Sequence, residues 1–146
     1  MPATTRAAPE RVNAFPTANH VLLKHYFDGE AVFERLRPFY NGNEYRFEVP
    51  VGAFDSLRRD LLEAGYELRV VDRPERYYVV VRQYSAHPDG IFKRSVRHEA
   101  VDGYHAFLMT DLEAVDAMVA RGAERLAAKP LVLRSESLAD FAASSA

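Results

Sequence analysis

The chain has 146 residues and a formal net charge of −2, with 48% apolar and 27% charged residues. These values indicate one globular domain with a sizeable core, and they exclude a disordered chain or a polycation. The chain contains no cysteine, which excludes disulfides, a thiolate nucleophile and cysteine-ligated metals. No apolar run reaches the roughly 18–20 residues that a membrane-spanning helix needs.

The N-terminal region, residues 1–18, predicts a flexible arm because it contains three prolines and shows no apolar period. It also lacks the apolar stretch of a secretory signal peptide, so the sequence predicts a cytoplasmic protein without a membrane partner. A single domain is predicted over residues 19–134. Residues 135–146, most of which are small, predict a loosely ordered C-terminal tail.

Apolar periodicity predicts five elements in the first half of the domain. Residues 20–27 and 45–49 alternate between apolar and polar side chains, which is typical of strands. Each is followed by apolar residues at helical spacing, which predict helices at 29–37 and 51–64. A third strand is predicted at 66–71. If it pairs in parallel with the strand at 45–49, the unit is a βαβ crossover.

The second half predicts three strands and a helix. Residues 76–84, 92–101 and 104–110 are rich in β-branched and aromatic side chains. Asp102 and Gly103 separate the last two strands, and a two-residue Asp-Gly turn is typical of a β-hairpin. A capping sequence after residue 109 and helical spacing beyond it predict the final helix.

The element order β-α-β-α-β-β-β-β-α predicts an α+β two-layer sandwich, with a mixed, mostly antiparallel sheet and helices on one face. The other face of the sheet would then be free to carry function. The hairpin turn predicts that Val96 lies opposite Met109 and that His98 lies opposite Phe107. Both faces of this hairpin mix apolar and polar residues, which indicates a second cover such as a homodimer partner or the arm.

A basic and aromatic segment between Arg76 and His98 is the most polarised feature of the sequence. It holds five Lys/Arg and one acid on a chain that is negative overall. Because its cations come from two strands joined by a short loop, they are expected to converge. The segment predicts a non-enzymatic binding module that docks RNA, a ribonucleoprotein or DNA on a basic, aromatic β-meander. The predicted anion-binding residues are Arg82, Tyr84, Lys93, Arg94 and Arg97.

Two alternatives remain open. One is a small-molecule-binding protein or enzyme with a pocket between sheet and helices, in which an arginine clamps a carboxylate or phosphate. Its residues would be Arg94, His98, Tyr104 and His105. The other is a regulatory homodimer or a scaffold subunit that pairs through the uncovered sheet face.

Motifs for catalysis and metal binding are missing from the sequence. There is no GxSxG elbow, Gly-rich phosphate loop, HxH or HExxH spacing, so no catalytic residue, cofactor or metal is predicted. The weak candidates for a metal site are three histidines that strand pairing could bring together, namely His25, His98 and His105.

Overall fold

The computed structural model describes residues 8–126, which form nine strands, three α-helices and two short 3₁₀ helices. The longest helix has 13 residues, and no helix in this part of the chain is long and apolar enough to cross a membrane. In chain order the elements are β1 (Glu10–Pro16), β2 (His20–Leu23), α1 (Glu30–Leu36), a 3₁₀ helix (Arg37–Phe39), β3 (Tyr40–Asn41), β4 (Arg46–Pro50), α2 (Val51–Glu63), β5 (Tyr66–Val70), a 3₁₀ helix (Pro74–Tyr77), β6 (Tyr78–Arg82), β7 (Ser95–Val101), β8 (Tyr104–Met109), α3 (Leu112–Ala120) and β9 (Glu124–Arg125).

The first sheet has five strands in the order β3-β4-β2-β1-β5. β1 and β5 pair in parallel, whereas the other neighbouring strands are antiparallel. β4 and β5 therefore run in the same direction, with β2 and β1 between them. The predicted crossover through α2 is present, but its two strands are separated instead of paired.

Helices α1 and α2 cover one face of the first sheet. Phe54, Leu57 and Leu61 follow one another at helical spacing along α2, and all three are buried. They form a core with inward side chains of β2, Val21 and Leu23. Each fully buried side chain of this size stabilises the fold by about 1.5–3 kcal/mol.

The second sheet has four antiparallel strands in the order β7-β8-β6-β9. Asp102 and Gly103 join β7 to β8, and both have positive φ, 47° and 82°. Positive φ at both central residues is the type I′ geometry that an Asp-Gly hairpin prefers. The predicted hairpin is therefore confirmed.

The register of this hairpin agrees with the prediction except at its open end. His98 lies opposite Phe107, as predicted. A bulge at the start of β7 places Ser95 opposite Met109, so the predicted pairing of Val96 with Met109 is wrong. A bulge adds one residue to one strand, and a turn at the other end of the hairpin cannot reveal it.

Both faces of the second sheet are covered. One face packs against the first sheet, where Phe15 and Leu22 meet Tyr78, Val80 and Leu108. The other face packs against α3, where Phe107 and Met109 meet Val115 and Met118. The protein is thus an α+β sandwich with mostly antiparallel sheets, as predicted. The prediction of a free sheet face is wrong, because the first and second sheets pack face to face and cover each other.

The prediction of a flexible arm over residues 1–18 does not hold for residues 10–16, which form β1. This strand lies between β2 and β5, and it contributes Ala14 to one core and Phe15 to the other. Its apolar alternation is short, and its parallel partner is more than 50 residues away, so local sequence gave no sign of it. The predicted tail at 135–146 lies outside the described residues.

Candidate functional site

The predicted basic residues do not gather into one patch. Arg82 lies beside Tyr104 at the end of the second sheet that carries the Asp102-Gly103 turn, here called the turn end. Lys93 and Arg94 lie just before Ser95, at the opposite end of β7. Six strand residues separate these ends, which corresponds to roughly 20 Å.

Strand order explains this separation. β6 and β7 are not neighbours, because β8 lies between them and is antiparallel to both. β6 and β7 therefore run in the same direction, and residues 83–94 must return along the whole sheet. We call this segment the covering loop. The prediction assumed that the loop joins two strand ends that lie together.

The other two predicted residues also lie apart from Lys93 and Arg94. Tyr84 is 97% exposed and follows β6 at the turn end. Arg97 lies opposite Leu108, on the face of β7 that is turned toward the first sheet, and it is half-buried. Only two of the five predicted anion-binding residues are therefore neighbours.

A large cleft lies where these two cations face the first sheet. Its volume is about 530 Å³. Its lining includes six Phe/Tyr rings and three Lys/Arg, and it includes no Asp or Glu. We call it the aromatic cleft, and it is lined by Lys24, His25, Tyr26, Phe27, Phe33, Leu36, Tyr40, Tyr45, Phe47, Lys93, Arg94 and Thr110.

Several segments supply the rings of the aromatic cleft. The segment after β2 provides Tyr26, α1 provides Phe33, and the hairpin between β3 and β4 provides Tyr45. These three rings are 85%, 56% and 67% exposed. Phe27 and Phe47 form the floor, because their rings meet edge to face at 5.8 Å and pack against the core. The cleft thus presents open ring faces above an apolar base.

Tyr45 has a backbone conformation that is unusual for an aromatic residue. Its φ is +56°, in the left-handed region where a side chain other than glycine costs roughly 1–2 kcal/mol. Such strain clusters at functional sites, where the surrounding structure holds it in place. Here it directs an exposed tyrosine ring into the cleft.

Lys24 lines the cleft and connects the first sheet to the second through hydrogen bonds. Its Nζ donates hydrogen bonds to the carbonyl oxygens of Phe92 at 3.0 Å and Ser95 at 2.9 Å. Burial, and then the charge of Arg46, lower the pKa of Lys24 from its ordinary value. Two of its three donors are occupied, so Lys24 positions the segment that carries Lys93 and Arg94.

Arg46 makes a second connection between the sheets. Its Nη1 donates to the carbonyl oxygen of Val96 at 3.0 Å, and its Nε donates to Glu48 at 2.9 Å. Burial disfavours the charged form of Glu48, but hydrogen bonds from Arg46 and Asn41 outweigh this and hold its pKa below the ordinary value. The edge of β7 is thereby fixed against the first sheet.

The remaining two cations of the cleft are open to a ligand. Lys93 is exposed and has no ion pair within residues 8–126. Arg94 is half-buried, and its Nη2 lies 3.9 Å from Asp111, at the limit of an ion pair. The two side chains are 36% and 48% exposed, and a solvent-accessible pair at this distance contributes about 0–1 kcal/mol, so an anion can replace Asp111 at little cost.

The predicted Arg/His pocket is not assembled. Tyr104 lies opposite Val101 at the turn end, whereas Arg94 lies at the other end of β7. His98 and His105 do meet, with Nδ1 and Nε2 3.0 Å apart. His87 of the covering loop joins them, its ring centroid 5.3 Å from that of His105. We call these three the histidine cluster. His87 is not among the pocket or metal-site residues that the sequence predicted.

His25 does not join the histidine cluster. It lies in the aromatic cleft, forms an ion pair with Glu10 and packs edge to face against Phe27 and Tyr66. Within residues 8–126, no three His, Asp or Glu side chains are arranged to hold a metal ion.

A second cationic surface, also absent from the sequence analysis, follows the outer edge of β5. Two grooves of about 310 and 200 Å³ share Arg69. Their walls include Glu67 and Asp72, and Arg11 pairs with Glu67 at 3.2 Å. This mixed charge makes them weaker anion sites than the aromatic cleft. Their arginines are Arg11, Arg58, Arg69, Arg73 and Arg76.

Sequence reasoning missed most of the aromatic cleft because five separate segments build it. One signal was available: alternation along residues 20–27 places Lys24 and Tyr26 on the face away from the core. A large aromatic residue on such a face indicates a surface that meets a ligand or partner.

Comparison of the chain with models of known protein families gave no match, and neither did comparison with curated proteins or with solved structures. The function must therefore be argued from the chemistry of the aromatic cleft.

Proposed function

We propose that this protein is a non-enzymatic binding module that holds single-stranded nucleic acid in the aromatic cleft. The observation that carries the proposal is the lining itself, which combines six aromatic rings with three cations and no carboxylate. Proteins that bind single strands combine these two chemistries, with rings for the bases and cations for the phosphates. The proposal keeps the predicted anionic partner but moves its site. The proposed location is the cytoplasm.

Stacking would come from the exposed rings. Tyr26, Phe33 and Tyr45 are more than half exposed, so their faces are open to an unpaired base. Stacking of one base on one aromatic side chain contributes about 1–3 kcal/mol and tolerates any base. Paired bases in a duplex are already stacked on each other, so the cleft would favour single strands.

Phosphate binding would come from Lys93 and Arg94 at the mouth of the cleft. The chain has a net charge of −2, so its surface as a whole does not attract a polyanion. Binding would therefore depend on a few local contacts, and it would weaken as salt rises.

A second candidate function is binding of a small aromatic anion, such as a free nucleotide. The volume of the cleft, about 530 Å³, supports it, because small-molecule sites span roughly 300–1,000 Å³. The homodimer alternative loses its original support, because the sheet face on which it relied is covered by the first sheet.

The test is fluorescence anisotropy with a labelled chain of ten uridines, measured at several salt concentrations. We expect binding at low salt that weakens as salt rises. The double variant Lys93→Ala with Arg94→Ala should lower the salt slope by about 1.4, since each phosphate contact on a single strand contributes about 0.7. A matched control is Arg82→Ala, which removes a predicted cation at the turn end.

No binding of the uridine chain or of free uridine monophosphate at low salt would refute the proposal. If the monophosphate binds as tightly as the chain, the small-molecule function is correct. An equal decrease of the salt slope in the Arg82→Ala control would mean that the anion binds on the predicted β-meander and not in the aromatic cleft.

A further inference from the structure

The histidine cluster and the aromatic cleft are linked through the covering loop. Phe92 of the covering loop connects the two. Its ring centroid is 5.3 Å from that of His98 and 5.6 Å from that of His87. Its carbonyl oxygen accepts the hydrogen bond from Lys24, and the next two residues are Lys93 and Arg94. Phe92 thus contacts the imidazoles through its ring and contacts Lys24, which lines the cleft, through its carbonyl oxygen.

We propose that protonation of the histidine cluster releases Phe92 and so lowers the affinity of the cleft for its anionic ligand. The inference rests on the proposed function, because it concerns the same site. It assigns the cluster a regulatory role, in which the cleft binds its anionic ligand at neutral pH and has a lower affinity for that ligand in mild acid.

The hydrogen bond between His98 and His105 requires a particular protonation state. Nδ1 and Nε2 are 3.0 Å apart, so one nitrogen must carry the proton and the other must be an unprotonated acceptor. When both rings are charged, both nitrogens carry protons and the bond is lost. The two like charges then repel each other at close range.

The charged groups that act on His105 within residues 8–126 are the two other imidazoles of the cluster. Around His105, β7 contributes His98, the covering loop contributes His87 and β6 contributes the apolar Val81. α3 packs against the adjoining Phe107 through apolar side chains. Burial lowers the pKa of His105, and the charges of His98 and His87 lower it further. Protonating His105 in the folded protein therefore costs more than protonating a solvated imidazole.

The predicted change of affinity with pH is opposite in sign to the change that net charge alone would produce. Lowering the pH makes a protein more positive, and this normally strengthens anion binding. His25, which lines the cleft, would act in that ordinary direction when protonated. A loss of affinity in acid therefore distinguishes release of Phe92 from a general charge effect.

The experiment measures binding of the labelled ten-uridine chain at fixed ionic strength between pH 7.5 and pH 5.5. We expect the wild-type dissociation constant to rise about tenfold as pH falls, the size of a coupling of about 1.4 kcal/mol. The double variant His98→Gln with His105→Gln should remove this rise. The matched control His20→Gln, an exposed histidine outside the cluster, should preserve it.

A second readout is the NMR signal of the Phe92 ring, which should shift together with the imidazole signals during titration. Should the double variant fail to fold, His87→Gln replaces it, because it removes one charge from the covering loop without changing either strand. Absence of binding at pH 7.5 would refute the proposed function. Binding at pH 7.5 that stays constant or strengthens in acid would refute the inference alone, as would an unchanged pH dependence in the cluster variants.

Discussion

The two ends of the second sheet carry the same side-chain chemistry in different surroundings. The turn end presents Arg82 and Tyr84 on an open surface, with Tyr84 97% exposed. The other end presents Lys93 and Arg94 opposite rings from the first sheet. A cation beside an aromatic ring therefore does not by itself define a binding site. A second wall, supplied by a distant part of the chain, makes the concave surface that a ligand needs.

The strongest test of this comparison removes one ring from each end. Tyr26→Ala should weaken binding of the uridine chain by about 1–3 kcal/mol, which is about 5- to 160-fold, because a base loses its stacking partner. Tyr84→Ala should change affinity less than twofold. Both side chains are largely exposed, so neither change should alter stability by more than about 0.5 kcal/mol. Anisotropy titrations measure the difference, and equal losses would mean that the cleft has no privileged role.

A second test compares cations. Lys24→Met should lower the free energy of unfolding by about 2 kcal/mol, because the carbonyl oxygens of Phe92 and Ser95 lose a charged donor. Arg82→Met, at the turn end, should change it by less than about 0.5 kcal/mol. Urea unfolding of both variants checks this. Similar stabilities would show that Lys24 does not hold the sheets together.

A third test uses the two non-glycine residues with positive φ among residues 8–126, which are Tyr45 in the aromatic cleft, at 56°, and Asp102 at the turn end, at 47°. Tyr45→Gly should stabilise the fold by about 1 kcal/mol by relieving backbone strain. Asp102→Gly should stabilise it less, because aspartate tolerates this region. Only Tyr45→Gly should also weaken binding. A gain in stability without a loss of affinity would mean that the strained ring serves no ligand.

The smallest expected effect is a pH dependence of stability that arises midway along the sheet. Burial, and then His98 and His87, lower the pKa of His105 from the ordinary value of 6.5. The unfolded chain therefore takes up this proton at a higher pH than the folded protein does. The free energy of unfolding should fall as pH drops through 6.5 and level off below the folded pKa.

This pH prediction is checked by urea unfolding at several pH values. His105→Gln should flatten the curve between neutral and mildly acidic pH. A wild-type curve that is flat across that interval would contradict the lowered pKa of His105.

Local sequence predicted the elements of the fold better than their arrangement. The Asp102-Gly103 turn predicted its hairpin because two residues determine the turn type. The neighbours of β6 could not be predicted, because strand order depends on packing over the whole sheet. The error over the basic residues follows from this: β8, not β7, lies beside β6.

The candidate site was predictable only in part. Lys93 and Arg94 were correctly placed next to each other because they are adjacent in sequence. The rings opposite them come from distant segments, and periodicity within each segment reports burial, not which surfaces will face each other. His87 was missed for a similar reason, because the covering loop has no regular period.

The interior position of β1, between β2 and β5 in the first sheet, has a consequence for biosynthesis. This strand is synthesised before the other strands of the first sheet, and its parallel partner β5 begins 56 residues after it does. For several seconds of translation, at about 5–20 residues per second, β1 lacks one neighbour, and the two hydrophobic cores to which it contributes stay incomplete. The nascent chain thus exposes an unpaired strand edge that can associate with other chains, and the first sheet is completed only after β5 has been synthesised.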